Sequence, residues 1–358
     1  MEPHFLATGI GSLPFTEPDP ALELIFEQLP QIPHWPQLPR RSFRENFVYQ
    51  FLTPLVQLGL VNIQEGRNPI CRPKEGPFYD GVLTFYEEYV RVQETGQLDF
   101  FALTEEGAAG FFAFYRHLAA ELGKGQLPLQ AVKGQIIGPV TAGFQLLDAN
   151  RQASFYDPEL RDLLVKSLEV NAAWQVAQLA HFGRPVIIFV DDSFLYVYGT
   201  ANFLALTRED ITSSLESIFG AIRSRGGIPG AHICSQTDWS LLLDSSLEIL
   251  NLDAYNYFPS LLGYGEKLTA FLARGGIIAW GIVPTSPRAW NESVASLRKR
   301  YLGYVEALER QGVPRQLILS RSLITPSCGT GLLEPDLARH IYHLTRALAD
   351  DLAASYSG

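Results

Sequence analysis

Short runs of β-branched and aromatic residues alternate with longer amphipathic stretches along most of this chain. Such alternation is typical of parallel strands joined by helical crossovers. Glycine and proline breaks such as SRGGIPG and ARGGI precede several runs, as expected where a helix ends and a strand begins. We predict helices at 158–179, 208–225, 286–311 and 335–352, and strands at 5–12, 98–104, 130–138, 185–191, 228–234, 248–256, 276–283 and 316–322.

Eight strands with helical connections fit one α/β domain, a (β/α)8 TIM barrel over residues 1–358. The 358 residues are 47% hydrophobic, which is enough for a large core. Residues 13–97 are rich in proline and aromatic residues, and we predict an irregular, Pro-rich insertion there, after the first strand and packed on the barrel. A doubly wound open sheet is the alternative, but no glycine-rich dinucleotide turn follows the first strand.

Composition excludes several classes of partner. The net charge of −10 argues against nucleic acid, because phosphate binding needs a basic surface. No apolar run approaches the roughly 18 to 20 residues that a membrane span needs, so no membrane association is expected. The N-terminal residues do not resemble a signal peptide, and we therefore expect a cytoplasmic protein. Three cysteines do not suggest a disulfide framework, so each is judged separately.

A metal site is predicted from three of these residues. Functional residues of such barrels lie at the C-terminal ends of the strands. His232 and Cys234 are two residues apart at one strand end, so both side chains can point to one ion. Cys328 follows the last strand and would face the same pocket. One imidazole and two thiolates suit zinc. A cysteine in a strand is, however, more often a small buried hydrophobe. We interpret Cys71 in this second way.

Three protein ligands would leave zinc with an open position. A thiol that entered this position would lose its proton and become a nucleophile at neutral pH. Two sulfur ligands would keep the bound thiolate electron-rich, which favours attack on an alkyl group over polarisation of a carbonyl. The ligand set alone is also compatible with a dehydrogenase.

Four segments resemble the cobalamin-independent methionine synthase family, and its C-terminal catalytic barrel in particular. They are TGIGSLP at 8–14, KGQIIGPVT at 133–141, HIC at 232–234 and TPSCGTG at 325–331. The wider group includes zinc methyltransferases that act on corrinoid proteins, and uroporphyrinogen decarboxylase. The resemblance implies methionine biosynthesis, with zinc on His232, Cys234 and Cys328 and homocysteine bound to it through sulfur.

The resemblance also implies how the amino-acid end of the substrate is held. It assigns this role to Ile10, Gly11 and Ser12, to Asp191, and to Glu105 or its neighbour Glu106. The family's fourth zinc ligand, a glutamate after the sixth strand, has no counterpart at 256–260. The fourth position is therefore expected to be open or to be filled by another acid such as Asp192.

The expected function is a zinc-dependent methyltransferase that moves a methyl group to a small thiol, with homocysteine as the first choice. The donor would be a methyl-folate. Because the family's N-terminal half helps to hold folate and has no counterpart here, a methylated corrinoid protein is an alternative. Two other functions stay open: a metal-free decarboxylase of the uroporphyrinogen decarboxylase type, and a non-catalytic zinc- or ligand-binding barrel.

Overall fold

The computed structural model describes residues 3–122 and 127–356. Its centre is one curled parallel sheet of six strands, each paired with the next in the chain, in the order β3-β4-β5-β6-β7-β8. A short antiparallel pair, β1 and β2, lies outside it. The strands are β1 (Val61–Asn62), β2 (Ile70–Cys71), β3 (Val132–Ile137), β4 (Val186–Asp191), β5 (Ile228–Ile233), β6 (Ile249–Leu252), β7 (Ile277–Val283) and β8 (Ser322–Pro326).

Helices connect every strand of the large sheet to the next. Some of them begin with a capping side chain: Asp157 accepts hydrogen bonds from the backbone N–H groups of Glu159 and Leu160, and Thr207 accepts one from the backbone N–H of Asp210. The helices are α1 (Pro18–Gln28), α2 (Thr53–Gln57), α3 (Pro77–Thr95), α4 (Ala109–Leu122), α5 (Pro139–Gln145), α6 (Pro158–Ala180), α7 (Arg208–Ser224), α8 (Ser240–Leu243), α9 (Ala254–Tyr257), α10 (Gly265–Ala273), α11 (Val294–Arg310), α12 (Arg315–Ser320) and α13 (Pro335–Tyr356).

Two extended segments lie along the edges of the sheet. The first runs beside β8, where Ala7 forms a parallel bridge with Ile324. The second runs beside β3, where His34 forms a parallel bridge with Lys133. The two segments meet each other, because Leu13 N donates to the carbonyl of Gln37 at 2.9 Å. The α/β class with a parallel sheet is confirmed, with six regular strands where eight were expected.

Two predicted strands are wrong. Residues 98–104 contain the 3-10 helix Asp99–Phe101 instead, and the position beside β3 belongs to the segment around His34. No strand was predicted in that segment, because Pro33 and Pro36 lack an N–H and interrupt the strand pattern. Most of 316–322 forms α12, and β8 begins only at Ser322.

The predicted insertion at 13–97 is more regular than expected. It contains α1, α2, the β1–β2 pair and α3, which spans Pro77–Thr95. Its apolar residues, for example Trp35, Phe51 and Phe85, belong to the same hydrophobic cluster as Ile136 and Ile188 of the sheet. The insertion therefore shares its core with the strands.

The two faces of the sheet bury different residues. One face packs against the helices through residues such as Ile188, Leu250 and Trp280. The concave face carries a smaller apolar cluster that includes Ile187, Phe189, Ile249, Ala279 and Leu323. Toward the C-terminal ends of the strands the concave face becomes polar, because Asp191 follows Phe189 and Asn251 follows Ile249 at alternate positions. In the ranges given above, no helix has the length and apolar composition to cross a bilayer.

We predict that Gly110→Ala destabilises the fold by roughly 1–3 kcal/mol, the range for overpacking in a core. A Cβ atom at Gly110 would lie 1.9 Å from the carbonyl oxygen of Pro36, so the segment beside β3 would have to move away from α4. The free energy of unfolding in urea measures this. Gly303→Ala on the exposed side of α11 is the control: nothing lies within 4 Å of its Cβ, and it should stabilise by about 0.5–1 kcal/mol. Equal effects of the two substitutions would contradict the packing argument.

Candidate metal centre

His232, Cys234 and Cys328 come together at the C-terminal edge of the sheet. His232 lies in β5, Cys234 follows that strand, and Cys328 lies in the loop after β8. One ligand atom from each side chain lies within 4.8 Å of the others, and no other such group of metal-binding side chains is found among the described residues. His232 is buried, whereas both cysteines are partly accessible. The arrangement can hold one metal ion.

Asn251 fixes the orientation of the imidazole. The Nδ2 group of Asn251 donates to the carbonyl of Ala279 at 2.7 Å and to Thr325 Oγ1 at 2.8 Å. Its Oδ1 atom therefore faces Nδ1 of His232, with which it forms a short hydrogen bond. This partner places the proton on Nδ1 and leaves the lone pair of Nε2 free. Nε2 is buried and has no hydrogen-bond partner within the described part of the chain, as expected of a ligand atom.

The two thiols form a coupled pair. The hydrogen bond from Cys328, together with the nearby His232 and Ser193, holds the pKa of Cys234 well below its usual range. The Oγ atom of Ser193 lies 2.9 Å from Cys234 Sγ. The same contact with Cys234, together with burial, raises the pKa of Cys328. Cys234 is therefore the sulfur that loses its proton more easily, and a bound divalent cation would favour the thiolate form of both.

Asp191, which is half-buried, contributes a second buried atom without a partner. It is in register with His232 across β4 and β5, so both side chains lie on the concave face. Its Oδ1 atom has no hydrogen-bond partner within residues 3–122 and 127–356. Burial raises the pKa of Asp191 to about 6, although Lys133 and the protonated form of His232 act in the opposite direction.

Asp192 has a different role from the one predicted. Its carboxylate accepts hydrogen bonds from the backbone N–H of Val140 at 3.0 Å, from the backbone N–H of Thr141 at 2.8 Å and from the Thr141 hydroxyl at 2.7 Å. Both oxygens are directed at the start of α5, because Asp192 and Asp191 point to opposite faces of the chain. Asp192 does not belong to the His-Cys-Cys group, and its contacts argue against the role of fourth ligand.

The predicted substrate-binding residues divide into two groups. Ile10, Gly11 and Ser12 lie beside the loop that carries Cys328, because Ser12 Oγ accepts from Gly331 N at 3.2 Å and Ser12 O accepts from Thr330 N at 2.9 Å. Glu105 is exposed and forms an ion pair with Arg116 at 3.0 Å. Its neighbour Glu106 pairs with Arg44 at 2.9 Å. The assignment of Glu105 fails because the strand that was expected to bring it to the site does not form.

Three residues near the centre were not predicted as site residues: Asn251, Lys133 and Asp253. Lys133 is fully buried, and its Nζ atom donates to the Ile10 carbonyl at 2.5 Å and to Gln135 Oε1 at 3.2 Å. Burial lowers the pKa of Lys133 to about 7, while the charge of Asp191 raises it. Asp253 directly follows β6, and its oxygens accept from Asn256. Each is a polar residue in or next to an apolar strand. This exception to the apolar pattern is the sequence signal that could have identified them.

No protein-family model matches the chain, and no curated protein matches it. Among solved structures, the chain is similar to an amidohydrolase with 15% sequence identity and a TM-score of 0.32. The alignment covers 69% of this chain and 61% of that protein, so it spans less than two thirds of the amidohydrolase. The interpretation of function therefore depends on the geometry of the centre and on the sequence motifs.

We expect Cys328→Ser to abolish stoichiometric metal binding, because a hydroxyl is a much poorer zinc ligand than a thiolate. Elemental analysis of the purified protein measures this directly. Cys71→Ser is the matched control, since Cys71 is also a free cysteine but lies in β2, outside the His-Cys-Cys group. Retention of the metal in Cys328→Ser, or an equal loss in Cys71→Ser, would contradict the assignment.

Asn251→Leu should weaken metal binding by roughly 10- to 100-fold, the usual effect of losing the group that orients a histidine ligand. The dissociation constant is measured by competition with a chromophoric chelator. Asn171→Leu serves as the control, because Asn171 is also buried and donates to the Phe101 carbonyl at 2.8 Å, away from the ligands. If both variants bind metal as tightly as the wild type, Asn251 does not orient His232.

Proposed function

We propose that this protein is a zinc-dependent methyltransferase that moves a methyl group to a thiol, with homocysteine as the acceptor. The observation that carries the proposal is the convergence of a buried, partner-free imidazole nitrogen and two sulfurs at one end of a parallel sheet. The four segments that resemble the methionine synthase family support the choice of reaction and acceptor. Two of them, HIC and TPSCGTG, contain the three ligand residues, and the other two contain Ser12 and Lys133 nearby.

The proposed fold is a closed (β/α)8 barrel. The hydrogen bonds of the two edge segments support this, since they lead from β8 through residues 5–13 and 33–37 to β3. In such a barrel the C-terminal ends of all strands surround one pocket. Asp191, His232 and Asn251 would then line its upper layer, above the apolar cluster on the concave face.

Zinc is the proposed metal, held by His232 Nε2 and the sulfurs of Cys234 and Cys328. One nitrogen and two thiolates are the ligands that zinc prefers over magnesium or calcium. Zinc bound there would supply positive charge and so lower the pKa of an incoming thiol. The thiol would then lose its proton at neutral pH. The two cysteines contribute negative charge of their own, which keeps the site electron-rich. Asn251 maintains the ligand geometry.

The other residues would position the acceptor. The unpartnered Oδ1 atom of Asp191 can accept a hydrogen bond from the ammonium group of an amino-acid thiol. The backbone around Ile10, Gly11 and Ser12 would hold its carboxylate end, and Lys133 fixes this segment through the Ile10 carbonyl. The acceptor sulfur then forms a bond to the methyl carbon while the bond from that carbon to the donor breaks. The electron pair of the broken bond leaves with the donor.

The donor is proposed to be a methyl-folate or a methyl-corrinoid protein. A metal-free decarboxylase would have no use for the His-Cys-Cys group, whose three ligand atoms lie within 4.8 Å of one another. We therefore prefer methyl transfer to decarboxylation.

The test is a methyl-transfer assay with zinc-loaded protein, homocysteine, and either methylcobalamin or methyl-folate as donor. We expect methionine from at least one donor, detected by mass spectrometry. Asp191→Asn should raise KM for homocysteine about 10- to 100-fold, as expected for the loss of a hydrogen bond between charged groups. Asp244→Asn is the control, because Asp244 pairs with Lys267 at the surface. If zinc-loaded protein forms no methionine with either donor, the proposal is wrong.

A further inference from the structure

A groove of about 620 Å³ lies between residues 39–49, residues 65–69 and the end of α5. We call it the arginine groove because three arginines line it: Arg40, Arg41 and Arg67. Among the described residues that line the groove, Glu65 is the one acidic residue. A basic groove is unexpected on a chain with a net charge of −10.

Two of the three guanidinium groups are available for a ligand. The side chain of Arg67 has no hydrogen bond or ion pair with any residue of the ranges 3–122 and 127–356. Arg40 donates to the Leu332 carbonyl at 3.1 Å and lies 3.6 Å from Glu334, whose side chain is 83% exposed. An ion pair so open to solvent contributes little. Arg41 is different, because Glu45, which is 1% exposed, neutralises it at 2.8 Å.

The groove adjoins the loop that carries a proposed metal ligand. Arg40 contacts the carbonyl of Leu332, four residues after Cys328. Pro39, also in the wall, packs against Gly331, where a Cβ atom would lie 2.7 Å from the proline ring. A ligand in the groove could therefore extend along this loop to the centre.

Aromatic side chains complete the wall. Phe43 and Tyr49 pack edge to face with ring centroids 6.2 Å apart, and Phe47 is 47% exposed. Guanidinium groups recognise carboxylates and phosphates through paired hydrogen bonds, while aromatic rings bind the planar or apolar part of a ligand. The wall thus combines two kinds of recognition.

From these contacts we infer that the arginine groove binds a small anionic molecule through its carboxylate or phosphate groups. The charge of the ligand is argued from Arg40 and Arg67.

Binding is tested with two probes, inorganic tripolyphosphate and triglutamate, titrated into the zinc-loaded full-length protein by calorimetry. We expect at least one probe to bind, more weakly as salt increases. The double variant Arg40→Gln/Arg67→Gln should bind it at least about 10-fold more weakly, as expected when charge-assisted hydrogen bonds are lost. Arg116→Gln is the matched control, since Arg116 is exposed and pairs with Glu105 outside the groove.

The choice of probe separates the two chemistries. Binding of triglutamate alone indicates a carboxylate ligand, and binding of tripolyphosphate alone indicates a phosphate ligand. If neither probe binds, or if the double variant binds as tightly as the wild type, the inference is overturned. The titration needs no methyl transfer, so loss of catalysis with intact probe binding would count against the proposed function and not against the groove.

Discussion

The register of the parallel strands is the constraint on which the centre depends. Asp191 pairs with His232, His232 pairs with Asn251, and Asn251 pairs with Ala279. Paired residues of neighbouring strands point to the same face of a sheet, so this one row brings an acid, an imidazole and an amide together. A shift by one residue in β5 would turn His232 toward the helices and separate it from both neighbours.

Burying this row costs free energy that its hydrogen bonds must offset. An unpartnered buried polar group costs roughly 1–3 kcal/mol. Asn251 avoids the cost, because the Ala279 carbonyl, Thr325 and His232 use its amide fully. Nε2 of His232 and Oδ1 of Asp191 do not avoid it. Two neighbouring groups left unpaired in one row are typical of a binding site, where a ligand completes the hydrogen bonds or the coordination.

The sequence could predict the parts of this arrangement that depend on local pattern. Apolar runs indicated β3 to β7, and the two-residue spacing of His232 and Cys234 predicted a shared direction for their side chains. Asn251 could not be assigned a role, because its function arises from strand pairing with β5 and β7. The segment around His34 was missed because prolines disguise it. Glu105 was misplaced for a different reason, because its position was counted from the predicted strand 98–104, which does not form.

Asp192 illustrates a different limit of sequence patterns. Two adjacent acids at the end of a strand look equivalent in the sequence, yet successive side chains of an extended chain face opposite sides. Asp191 faces the metal ligands, and Asp192 faces the N–H groups at the start of α5. Thus only a structure could separate the residue that is free to bind a ligand from the one that holds a helix in place.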